Sequence, residues 1–225
     1  MAKKRLNQFT GALSPAQIAA GITAATHNAR RLVTDANLLL ESSRWPTATA
    51  LAILAIEESG KASVLRELAL ALSDKEIGDV WRSYRAHTSK NVSWILPQLV
   101  ASGARQLEQM RPIFDDASDH PQVLDQIKQV ALYTDCLGDA HWSQPALVID
   151  ETLARSLVQT ADVLSKGRDV SAQEIELWIK HIRPVWKRGM GWMNTALTNW
   201  HREMVAVGLL PDDEGFEHFL FGDRF

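Results

Sequence analysis

The sequence predicts an all-α protein built on an antiparallel helical bundle, and three observations carry that prediction. Apolar residues recur at helical spacing along most of the chain, and three serine-led capping signals mark helix starts. Sustained period-two alternation and Asn-Gly or Asp-Gly hairpin turns are absent.

Ser14-Pro15-Ala16-Gln17 places an N-cap, a proline at the first helical position and a capping-box partner in register. Ile18, Ile22, Ala25, Ala29, Leu32, Ala36 and Leu39 then repeat to about Glu41. Ser42 to Pro46 reads as a break, followed by a helix from about Thr47 to Leu72. Ser73-Asp74-Lys75-Glu76 caps a third helix through Tyr84, and the pattern leaves open whether it continues past His87 toward Ile95. A fourth segment spans roughly Gln98 to Phe114, ending at Asp115-Asp116, and Pro121 begins a fifth that reaches Asp135.

Gly138 to Pro145 reads as the longest loop. Helices from Asp150 to about Ser165, and from Ser171 (capping box with Glu174) to about Val207 with a bend near Pro184, complete the pattern. The division that follows is a flexible terminus over 1–13, a bundle over 14–165 and a helical extension over 166–225. Its tail, with Asp212, Asp213 and Glu214, reads as loosely held.

A chain of 225 residues with 46% apolar and 23% charged residues has enough hydrophobic material for a sizeable core. The net charge of −3 excludes a wholesale basic coat for nucleic acid, while leaving room for a local basic site. Cys136 is the single cysteine, so neither an intramolecular disulfide nor a thiolate metal cluster is available. Met1-Ala2-Lys3-Lys4-Arg5 resembles the opening of a signal peptide, but the polar residues after it do not make an apolar core. No apolar run approaches the roughly 20 residues of a membrane span. The simple expectation is a cytoplasmic protein.

The polar chemistry gathers on the second and third helices. At about 100° per residue, Glu58 falls inside the apolar stripe of Leu51, Leu54, Leu65 and Leu72, with Lys61 within pairing distance. A carboxylate there needs a partner, because burying it bare costs several kcal/mol. Gly60, at mid-helix, costs roughly 1 kcal/mol against alanine. Asn28 and Asp35 line one edge of the first helix, an edge that an antiparallel hairpin turns toward Glu58 and Lys61. This constellation reads either as a satisfied core network or as support for a surface site.

Arg82-Ser83-Tyr84-Arg85-Ala86-His87-Thr88-Ser89-Lys90 packs four cations and a tyrosine into one short stretch, counting His87 among the cations when protonated. Guanidinium and ammonium groups hold phosphate, and imidazole moves protons near neutral pH. On one ideal helix Arg82 and His87 would diverge by about 140°, so a shared site requires an irregular helix or completion across a dimer.

The series Asn28…Asp35-Ala36…Glu57-Glu58-Ser59-Gly60-Lys61, His87-Thr88-Ser89-Lys90 and Leu132-Tyr133-Thr134-Asp135…Trp142…Pro145 resembles the AbiV-type abortive infection proteins. The likeness covers about residues 15–165. It implies the HEPN superfamily, whose fold is a helical bundle that commonly dimerises and whose members include metal-independent ribonucleases with an Arg-x(4–6)-His motif. Arg82 and His87 match the shortest spacing, with Ser83 at the polar position. The resemblance thus implies an antiviral effector that acts on RNA as a homodimer. On that likeness Arg82 and His87 are the expected catalytic pair. Glu57, Glu58, Lys61, Arg85, Lys90, Asn28 and Asp35 are supporting or substrate-binding residues, and no metal or other cofactor is expected. The competing class is a non-enzymatic protein that binds a phage or host factor.

Paired Glu-x-x-His elements, the bundle signature of carboxylate-bridged metals, are missing. Ser59-Gly60-Lys61-Ala62 lacks the leading glycine and final hydroxyl of a phosphate loop. Trp178, Trp186, Trp192 and Trp200 with nearby Arg183, Lys187 and Arg188 read as a helical core stripe ahead of a nucleic-acid stacking surface.

Overall fold

The computed structural model describes residues 7–115, 117–211 and 215–222. Met1 to Arg5, Asp116 and the acidic tail residues Asp212, Asp213 and Glu214 lie outside them.

The first two helices, α1 (Pro15–Glu41) and α2 (Trp45–Leu70), form the long antiparallel hairpin on which everything else is mounted. Ser14 caps α1 through its predicted capping box with Gln17, and Ser43, in the left-handed region at φ 56°, turns the chain into α2. Helix α3 (Asp74–Arg85) is capped by the Ser73 side chain and stops before His87. A 3-10 turn over Val92–Ile95 leads into α4 (Leu96–Ala101), and a 3-10 segment over Leu107–Phe114 precedes α5 (His120–Leu132). Two short strands, β1 (Asp135–Leu137) and β2 (His141–Ser143), pair antiparallel before α6 (Pro145–Val148) and α7 (Glu151–Leu164). Helices α8 (Ala172–Ile182), α9 (Met190–Ala206) and α10 (Gly215–Phe221) end the chain.

The all-α class holds, with three local differences from the sequence reading. The segment expected as one helix from Gln98 to Phe114 is interrupted, because Gly103 takes φ 103° and ends α4. The fifth helix stops at Leu132, short of Asp135, and a β1–β2 hairpin runs from there into the expected loop; its strand residues are almost all exposed and so leave no buried/exposed alternation to read. The long last helix is split, since the 3-10 turn at Arg183–Val185 and Gly189 at φ 109° separate α8 from α9.

Helix α2 is the axis of the core. One cluster joins Leu32, Val33 and Ala36 of α1 to Ala52, Ile53 and Ile56 of α2, Leu124 of α5 and Leu157 and Val158 of α7. Farther along, Ile175 of α8 packs among Ile18 and Ile22 of α1, Val64 and Leu65 of α2, and Trp81 of α3. Fully burying a side chain such as Ile175 contributes about 1.5–3 kcal/mol. Buried Glu174 beside it receives Arg66 at 3.2 Å and Arg168 at 2.8 Å, tying α8 to α2. The first helix after residue 165 thus lies in the bundle's own core.

Trp178 and Trp200 meet edge to face at 5.6 Å between centroids, as a core stripe would have them, whereas Trp192 is exposed. Among the described residues no helix is long and apolar enough to cross a membrane.

Candidate functional site

Helix α2 is packed by α1, α5 and α7 over much of its surface, and a polar residue on the packed side of its midpoint has nowhere wet to go. Glu57 occupies that midpoint at 3% exposure. Its Oε1 accepts from Lys128 Nζ of α5 at 2.6 Å, and its Oε2 accepts from His87 Nδ1 at 2.7 Å. Lys128 also lies 2.7 Å from Asp125 Oδ1. Burial pulls the Lys128 ammonium down, but the bonds to Asp125 and Glu57 more than reverse it, so its pKa stands above the ordinary lysine value.

His87 reaches Glu57 because the chain leaves α3 at Arg85 and turns back over α2. The turn fits only against a glycine: a β-carbon on Gly60 would overlap the carbonyl oxygen of Lys90 and come within 2.6 Å of its carbonyl carbon. The far side of the turn is pinned to α5. Fully buried Asn91 donates to the Pro121 carbonyl at 2.9 Å, Trp94 Nε1 donates to the His120 carbonyl at 3.0 Å, and His120 Nε2 donates to the Val92 carbonyl at 2.9 Å.

A carboxylate only accepts, so His87 gives its Nδ1 proton to Glu57 and its Nε2 carries the lone pair when the ring is neutral. The His87 side chain is 55% exposed. One nitrogen is therefore anchored in the core while the ring remains open to solvent. Lys90 is buried beside this pair. Burial lowers its pKa, against the pull of Glu57 and with the push of Lys61. Glu58 and Lys61 pair at 2.5 Å, half-buried, with the Lys61 ammonium 5.4 Å from the Tyr84 ring centroid.

The structure thus brings Glu57, His87, Lys90 and Gly60 together, with Glu58 and Lys61 alongside. It corrects three sequence expectations. The carboxylate sunk in the core is Glu57 and not Glu58; a one-stripe helical wheel fails on a helix buried on several sides. The Asn28 and Asp35 edge reaches the level of Glu58, since Gly21 lies against Leu65, but both side chains accept from Arg31 of their own helix. Arg82 pairs with Asp79 on the open face of α3, 72% exposed, and among the described residues no bond joins it to His87 of the same protomer. Arg85 donates to the Phe9 carbonyl at 2.8 Å and stands over the Trp81 ring, holding the N-terminal segment.

Lys128 was missed by the sequence reading although a signal existed: it falls in the apolar face of α5, between Leu124 and Ala131. Glu57, His87 and Asp125 each offer a ligand atom, all within 4.8 Å of one another, a donor set that suits a divalent cation. The Lys128 ammonium bridges the two carboxylates of that set.

A buried acid that fixes one nitrogen of an open imidazole, with two flanking lysines, is equipped to move protons beside an anionic substrate. The HEPN_AbiV family model, described as AbiV, matches residues 17–166. No curated protein and no solved structure matches the chain.

Proposed function

This chain belongs to the AbiV family of HEPN proteins, and from that premise we propose that it is an abortive-infection effector of antiviral defence whose chemical step is metal-independent RNA cleavage at His87. The single observation that carries the proposal is the bond from His87 Nδ1 to buried Glu57, which leaves Nε2 as the free base. In the step, Nε2 takes the proton of a ribose 2′-hydroxyl. The 2′-oxygen bonds to phosphorus, the bond to the 5′-oxygen breaks, and that oxygen leaves with a proton returned by imidazolium. The products are a 2′,3′-cyclic phosphate and a 5′-hydroxyl. Arg82, presented by the second protomer of a homodimer, stabilises charge on the phosphate. Lys90 and Lys61 add positive potential, and Glu57 orients the ring as a positioning residue.

A second reading has its own support. Trp142 at 71% and Leu147 at 80% exposure present large apolar side chains around the β1–β2 hairpin, which suits a non-enzymatic protein that docks on a phage or host partner. Incubating the purified full chain with labelled RNA in chelator separates the two. Cyclic-phosphate ends that vanish in a folded, equally oligomeric His87→Ala variant support the nuclease. Binding without cleavage supports the docking protein, and cleavage unchanged in that variant overturns the assignment of the chemistry to His87.

A further inference from the structure

Beside the His87 turn lies a cavity of about 620 Å³ that the mechanism above leaves unused. Its volume falls within the range of small-ligand sites. Thr88 and Ser89, the two residues after His87, are part of its lining, which sets the cavity beside the turn that carries the imidazole. Trp178 and Trp186 face it from the C-terminal helical region, and Phe114 stands at its edge 70% exposed. Aromatic faces around a cleft of this size suit the π-face of a base.

The charges argue for a base over a phosphate. Arg66 on the wall is held by buried Glu174 at 3.2 Å, while among the described residues no cation pairs with the Glu67 carboxylate beside it. An unpaired carboxylate repels phosphate and accepts two parallel hydrogen bonds. Guanine is the RNA base whose pairing edge offers two adjacent donors, its ring N1–H and its exocyclic amino group. Presenting that edge requires the base to be unpaired.

We propose that this cavity is a guanine-binding subsite for single-stranded RNA, with Glu67 reading the base edge and the aromatic side chains holding its face. The inference rests on the RNA-cleaving reading of His87. It adds a substrate class, unpaired RNA with a guanosine next to the scissile phosphate.

The test uses the full chain and non-cleavable 2′-O-methyl oligonucleotides: a uridine nonamer, the same nonamer with one central guanosine, and that second strand in duplex. The guanosine strand is expected to bind about tenfold or more tighter than oligo-uridine and to lose the advantage in the duplex. Glu67→Gln and Glu67→Asp, both checked for fold by circular dichroism, should bring the two single strands to parity, read as the ratio of the two affinities because Glu67→Gln also removes a repulsion felt by every phosphate. Equal affinity in the unmodified protein, or a guanosine preference that survives both substitutions, overturns the subsite. A guanosine preference dependent on Glu67 in a protein that cuts no RNA upholds the subsite and removes the nuclease reading. Cleavage dependent on His87 with no base preference does the reverse.

Discussion

The carbonyl of Lys90 sits in the space that a side chain on Gly60 would occupy. This one contact explains why a glycine stands in the middle of a long helix, and it is what lets the turn from His87 to Lys90 close over Glu57. Gly60→Ala gains helix propensity of about 1 kcal/mol but must push the turn away, and overpacking of this kind costs about 1–3 kcal/mol or more. The expected outcome is a net loss, read as a melting temperature lower by about 2–8 °C, together with loss of the His87–Glu57 bond. Gly78→Ala is the matched control: nothing lies within 4 Å of its β-carbon position, so it should stabilise α3 by about 0.5–1 kcal/mol. Equal effects at the two glycines would remove the packing argument.

Glu57 and Lys128 are both sunk in the core and 2.6 Å apart, so each is the other's solvent. Replacing one alone, as Glu57→Gln or Lys128→Met, takes away a buried partner and leaves Lys128 only Asp125, or Glu57 only His87, and should cost up to about 3–5 kcal/mol in chemical denaturation. The double variant should cost less than the sum of the singles by about 1–3 kcal/mol. Additive losses would show that the pair is not coupled and that Asp125 alone satisfies the lysine.

Two lysines of the same network respond to alkali in opposite senses. The Lys128 pKa is raised in the fold, so its stabilisation is complete below 10.5, the ordinary value, and is lost as pH rises through the folded value. The Lys90 pKa is lowered by burial, so the folded state carries a penalty while Lys90 is charged, and that penalty is relieved between the folded value and 10.5. Lys90→Met should therefore gain stability relative to the parent near neutral pH, with the gain shrinking as pH approaches 10.5. Melting curves across that range check the slope; a gain that grows with pH has the wrong sign for this account. A variant that is more stable but less active would mark Lys90 as a cation kept for its charge.

Much of the scaffold was legible because local chemistry and global fold agree in it. The serine of each capping box, Ser14 with Gln17 and Ser171 before Glu174, caps the helix it predicts. What escaped is of three physical kinds. A helix packed on several sides has no single apolar stripe, which is why a wheel drawn through Leu51 and Leu65 selects Glu58 over Glu57. Long-range pairing is invisible to spacing: Lys128 is 71 positions from Glu57 in the chain, and only its place in the apolar face of α5 hints at a buried partner. Close approach of two backbones leaves a glycine as its only trace, and Gly60 does not announce which carbonyl it admits.

Arg82 offers the sharpest probe of how a complete site is assembled. Its guanidinium is exposed and paired with Asp79 one helical turn away, a surface pair worth under about 1 kcal/mol. Arg82→Ala should therefore leave the melting temperature nearly unchanged, and loss of cleavage in that variant reports function and not folding. Removal of a group that stabilises charge in the transition state typically lowers turnover about 10²–10³-fold, and that is the expected size of the defect. Since Arg82 does not bond to His87 of its own protomer, the homodimer proposed above requires the arginine to act across its interface. Mixing the inactive Arg82→Ala and His87→Ala proteins under conditions of subunit exchange then rebuilds a site, with the arginine from one protomer and the imidazole from the other. Regained cleavage in the mixture is the expected result. If both groups serve the same protomer, no hybrid contains an intact pair and the mixture stays inactive.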